Sequence, residues 1–141
     1  VGGDEAPGAL RAEGYERLIV DGFNALGSRP DGWWRDRPRA MARLVDRLAG
    51  LAEREPGLRI EVVFDGGPHE RVLSSAPSSV EVAFAGGGAD AADREIARRV
   101  RAAVRAGAVL VVSSDRRLAA SVKAAGGASV GAGAFLRERL P

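Results

Sequence analysis

Five aspartates stand just beyond short apolar runs. Asp21 closes Leu18-Ile19-Val20, Asp65 closes Arg59–Phe64, and Asp115 follows Ala108–Val112 after two serines. Asp90 and Asp93 open the stretch after Val80–Phe84, and Asn24 lies one short turn beyond Asp21. Carboxylates gathered into one place raise one another's pKa values. A hard divalent cation relieves that conflict, and oxygen donors of this kind suit magnesium or manganese. Sulfur and multi-histidine ligation are closed off, because the chain has no cysteine and a single histidine, His69. The same absence excludes disulfides, thiolate nucleophiles and cysteine-based zinc sites. Each acid also has a plainer reading. Asp65-Gly66 is a common turn pair, Asp90 or Asp93 suits the start of a helix dipole, and Asp115 could cap a helix. Only their repetition at the same kind of place favours a shared site.

The elements that must position these residues alternate. Strands are expected at 18–20, 59–64, 80–84 and 108–112, with a weaker one at 128–130. Between them, Met41, Leu44, Val45, Leu48, Leu51 and Ala52 recur at helical spacing over 38–54, with Pro38 in the first turn. Helices are also expected over 90–106, from Asp115 to 125, and near 134–140, whereas 25–37 and 66–79 carry turn and loop signals. Such alternation argues for an α/β fold with a mostly parallel sheet covered by helices on both faces. Right-handed crossovers place every strand-to-helix loop at one sheet edge, where ligands of open α/β sheets bind. The five aspartates and Asn24 therefore converge on one crevice. With 141 residues, 45% hydrophobic and 28% charged, the chain suits one globular domain. Residues 1–16, rich in glycine and without sustained periodicity, are expected to be a flexible leader, and 17–141 the domain.

The formal net charge is only +2, yet every basic residue except Lys123 is arginine. This fits the composition of a GC-rich genome, and it also supplies planar forks suited to phosphate. Arg29, Arg35, Arg37 and Arg39 flank Trp33-Trp34. Arginine beside exposed aromatics is the combination that binds single-stranded RNA, although tryptophan is usually buried and at least one of the pair is expected in the core. The loop from Gly67 to Ser79 is placed to cover a substrate, with His69 as an ordinary loop residue. No apolar run approaches the ~18 residues that suggest a membrane span. The acidic, Gly/Ala-rich start lacks the pattern of a signal peptide, so a cytoplasmic protein with no membrane partner is expected.

The segments LIVDGFNALG, VVFDGG, GADAADREI, VVSSDRRLA and GASVGAGAF together resemble the NYN domain of the PIN-like nuclease superfamily, in particular its bacterial YacP-like branch. The resemblance runs from about Leu18 to Leu140. It implies a three-layer α/β/α sandwich with strand order 3-2-1-4-5, and magnesium- or manganese-dependent endonucleolytic cleavage of RNA. It also implies that Asp21, Asp93 and Asp115 surround the metal, that Asn24 is the asparagine of the DG-aromatic-N signature, and that Asp65 is the acid of the second strand. There is one departure. Arg94 follows Asp93 where the family commonly has a second acid, and Asp90, one helical turn earlier, is expected to compensate.

On this reading Asp21, Asp65, Asp90, Asp93 and Asp115 are metal ligands, and Asp21, Asn24, Asp93 and Asp115 form the catalytic set. A metal-lowered water pKa would supply the nucleophile, with Asn24 orienting a carboxylate or water. Arg35, Arg37, Arg116 and Ser114 are the residues expected to contact RNA, although capping of the following helix is the favoured reading of Ser113 and Ser114 over holding a water near the site. The alternative is a non-catalytic RNA- or ribosome-binding module on the same fold. A phosphoryl-transfer enzyme of another α/β type is disfavoured, since neither a DxDx[TV] motif nor a P-loop is present.

Overall fold

Leu18, Ile19, Val20 and Asp21 are buried together, as an apolar run without alternation requires of a strand covered on both faces. The computed structural model describes residues 8–141. Helix α1 (Ala9–Ala12) precedes β1 (Tyr15–Asp21), followed by α2 (Gly22–Gly27), a 3₁₀ turn at Trp33–Arg35, and α3 (Arg37–Arg54). Then come β2 (Arg59–Phe64), α4 (Glu70–Ser75), β3 (Val80–Phe84), α5 (Ala91–Ala103), β4 (Ala108–Val112), α6 (Arg116–Ala124), β5 (Ala128–Val130) and α7 (Ala132–Glu138). The five strands form one all-parallel sheet in the order β3-β2-β1-β4-β5, as the resemblance implies.

Side chains alternate across the sheet and divide the core in two. On one face Leu18, Val20, Ile60, Val62, Phe64 and Val112 pack with Met41, Leu44 and Leu48 of α3 and Phe135 of α7. On the other, Ile19, Val63, Val109 and Val111 meet Ile96 and Val100 of α5 and Leu118 and Val122 of α6. Helix α3 starts where its cap allows. Asp36 Oδ1 accepts the Arg39 amide at 3.2 Å, and a proline occupies the first turn. Truncating a buried leucine of its stripe, such as Leu44, would cost about 2–5 kcal/mol.

Register then fixes the site. Val20 lies opposite Val62 on one side and Val112 on the other, so the chain ends of β1, β2 and β4 emerge level. The turn into α2 is tight because residue 22 is glycine: a Cβ there would run into the Phe64 ring. The loops leaving β2 and β3 are pinned to each other by reciprocal bonds between Gly66 and Gly86, at 2.8 and 3.0 Å.

Three local expectations change. The segment 8–16 is packed against the fold: Leu10 is buried, its amide and that of Arg11 donate to the Glu55 carboxylate at 2.9 and 3.0 Å, and β1 begins at Tyr15. The remainder of the expected leader, 1–7, lies outside the described residues. The stretch 66–79 contains the helix α4, held down by buried Val72, and α2 starts directly at Gly22 where turns were expected from 25 onward. Among the described residues no helix is long and apolar enough to cross a membrane.

Candidate functional site

Asp21 is the last residue of the central strand and only 5% exposed. Its one side-chain hydrogen bond among the described residues comes from Ser113, whose Oγ donates to Oδ2 at 2.8 Å. The same Ser113 Oγ accepts the Asp115 amide at 3.1 Å, so one hydroxyl ties the end of β1 to the loop leaving β4. Burial pushes the Asp21 carboxyl up to about 6. The Ser113 bond opposes that rise, and the carboxylates of Asp93, Asp65 and Asp115 add to it. Asp93, in the first turn of α5, is also held above the ordinary range, by burial and then by Asp115, Asp90 and Asp65, with Arg117 acting the other way. Asp93 is thus within electrostatic reach of the other four aspartates, and Asp21 within reach of Asp93, Asp65 and Asp115.

Two of the acids serve helix starts as well. Asp115 Oδ1 accepts the amides of Arg117 and Leu118 at 2.8 and 3.1 Å, capping α6. Asp65 Oδ1 reaches from the β2 loop to the Ala92 amide of α5 at 2.9 Å. The plainer reading of these two residues is therefore part of the geometry, and each retains a second carboxylate oxygen. Asp90 adopts the left-handed conformation (φ 59°) before α5 and its side chain does not cap that helix. Asn24 holds the loop after β4. Its Oδ1 accepts the Ser114 amide at 2.8 Å, and Ser114 Oγ in turn accepts the Ala132 amide at 2.9 Å. These two bonds stitch together the turns that follow β1, β4 and β5.

The donor set fits a hard cation in kind: oxygen throughout, with surplus negative charge around a buried acid. Its side chains are not closed around one point, because among the described residues no three acids or histidines converge as a ready-made metal cage. Arg94, in the place of a second acid, is turned away to donate to the Ala89 carbonyl at 2.5 Å.

Beside the acids lies an aromatic wall. Phe23 and Trp33 stand 5.9 Å apart, and the Arg37 guanidinium sits 5.9 and 5.5 Å from the two rings. Neither tryptophan enters the core, contrary to expectation: Trp33 is half-buried, and Trp34 is 52% exposed with Arg35 stacked 5.8 Å from its ring. Short polar turns around them leave no layer to cover them. Phe23, Trp33, Arg37, Asp65 and His69 line an open cavity of about 440 Å³. Phe23, the aromatic of the DG-aromatic-N signature, is not among the residues the sequence assigns to RNA, because a single aromatic after Asp-Gly reads as packing. Arg116 and Ser114 are exposed on the β4 side of the same edge.

A family model described as the YacP-like NYN domain matches residues 18–139. Two solved structures are similar to the chain. Rae1 (YacP) from Bacillus subtilis is 26% identical with a TM-score of 0.71, over 86% of this chain and 71% of that one. A tryptophan-to-leucine mutant of Rae1 (YacP) from Bacillus subtilis is 27% identical with a TM-score of 0.67, over 86% of this chain and 72% of that one. No curated protein matches.

Proposed function

The chain belongs to the YacP-like NYN domain family, a PIN-like nuclease family, and on that premise we propose that it is a metal-dependent endoribonuclease that hydrolyses RNA phosphodiester bonds. The observation that carries this reading is the Asp21 carboxyl, buried at a strand end among like charges with only a serine hydroxyl to balance it. Asp21, Asp93 and Asp115 would hold magnesium or manganese, with Asp65 and Asp90 at the margin. When bound, the cation supplies Lewis acidity that lowers the pKa of a water and offsets the charge of the scissile phosphate.

The chain's own residues do the rest. Ser113 fixes the rotamer of Asp21 and favours its ionised form. Asn24 is a positioning residue, acting through the Ser114 amide on the loop that carries Asp115. Ser114 Oγ accepts from Ala132, which leaves its proton to donate to a phosphate oxygen. Arg37, over Phe23 and Trp33, would pair a phosphate while the rings stack a base, with Arg35 on Trp34 and Arg116 beside Asp115 adding phosphate contacts.

Arg94 favours a second reading, an RNA-binding module that does not cut, because it removes an acid from the set. Incubating mixed RNAs with the protein in manganese, magnesium or chelator, and sequencing product ends, separates the two. Cleavage that needs a divalent cation and is lost at least about a hundredfold in Asp21→Asn is expected. RNA bound but never cut under any metal condition overturns the enzyme in favour of the module.

A further inference from the structure

A second cleft, of about 260 Å³, is formed by α2, the Trp33 turn, α3 and Leu136 of α7. Arg29, Arg35, Arg39, Arg43 and Arg47 line it, over an apolar floor that includes Leu26 and Leu44. Arg39, Arg43 and Arg47 recur every fourth residue on one helix face, a spacing at which like charges repel. The acids at hand do not neutralise them. Asp31 accepts the Trp33 amide and Asp36 the Arg39 amide, each at 3.2 Å, and among the described residues no salt bridge involves any of these arginines. Among the described residues, Arg47 is the one of the five with a side-chain hydrogen bond, donating to the Leu136 and Pro141 carbonyls at 3.1 and 3.4 Å. Burial, with Arg29 nearby, pushes its pKa below the ordinary value.

A concentration of unpaired guanidinium groups around a cleft is stable at modest cost on the surface and strongly favourable once an anion enters. Geometry selects the anion. Trp33 lines both this cleft and the aromatic cavity that contains Asp65, so the two adjoin at one indole. We propose that the arginine cleft is an RNA exosite, holding backbone phosphates of the strand at a distance from the bond that is cut. This rests on the RNA reading above and adds a site to it. Arg29, Arg39 and Arg43 then set affinity and grip length and take no part in bond cleavage.

The test is the double variant Arg39→Gln/Arg43→Gln against the unaltered chain. Binding of a fluorescent single-stranded RNA of roughly 20 nucleotides is measured in chelator over a salt series, and cleavage in manganese. Affinity is expected to fall about tenfold, and the dependence of log affinity on log salt to become shallower by about 1.4, at ~0.7 for each phosphate no longer neutralised. KM should rise with kcat unchanged, and the melting temperature should not fall. Unchanged affinity and slope in the double variant, while the parent binds and cuts RNA, overturns the exosite alone. A parent chain that binds no RNA overturns both readings. Polyglutamate of matching charge that competes as well as RNA assigns the cleft to an acidic protein partner and overturns the proposal.

Discussion

Two buried carboxylates sit on neighbouring strands of this sheet and are treated in opposite ways. Glu61, in the middle of β2, is 2% exposed and lies between Arg17 of β1 and Arg99 of α5, the latter at 2.8 Å. Arg99 also reaches Glu81 at 2.8 Å and Glu95 at 2.7 Å. Burial acts to lower the Arg99 pKa, yet its carboxylate partners raise it overall. Asp21, one strand away, has among the described residues no cation of its own and three further acids in reach. A chain that can surround one buried acid with two arginines leaves the other uncompensated. Structural ion pairs close their charge balance within the protein. A site that is to take up a ligand keeps its balance open.

That contrast can be broken from either side. The largest effect is expected from Glu61→Ala, which strands two partly covered guanidinium groups and empties a buried volume. A loss of about 4 kcal/mol in urea denaturation is expected, with cleavage per folded molecule unchanged. A loss below about 1 kcal/mol would mean the network is ornamental.

Asp21→Asn should move stability the other way, by about 3 kcal/mol at pH 8. The sign follows from the raised carboxyl pKa, about 6 in the fold against 3.8 for the free group. Between those values the native state holds more protons than the unfolded one. Wild-type stability therefore falls as pH climbs through that window, and below it the penalty disappears. Denaturation of both proteins at intervals from pH 4 to pH 8 should give curves that coincide at the acid end and diverge above it. Parallel curves would remove the like-charge account of the site.

The smallest effect belongs to Ser113→Ala. Losing the hydroxyl costs about 1 kcal/mol and removes what holds the Asp21 pKa down, so the acid limb of the cleavage profile should shift to higher pH. An unshifted limb would reduce Ser113 to a structural bridge.

Much of the site was legible because it depends on topology. Once 18–20 reads as a fully buried strand, Asp21 and Asn24 must emerge at its carboxyl end, and parallel crossovers bring Asp65, Asp93 and Asp115 to the same edge. The Glu61 network was not legible. Its partners come from Arg17 and Arg99, 44 and 38 residues away, and an acid inside a strand looks like a solvent-facing one until the helix above it is placed. The docking of Leu10 was hidden for the same reason, since the carboxylate that receives its amide is Glu55, 45 residues on. Helix α4 was hidden by the serines and prolines around Val72, and the Trp33 cavity by turns whose direction no periodicity records.

The strand order has a consequence in time. β1 lies in the middle of the sheet, so the first strand to be synthesised waits for both neighbours: β2 from residue 59, and β4 from residue 108. Pairings this distant in sequence are slow to close, and chains fold in part as they are made. Asp21 precedes Ser113 by 92 residues and meets it only once β4 has been made. The charge conflict that defines the site therefore arises only when β4 pairs with β1, and until then its acids stand apart.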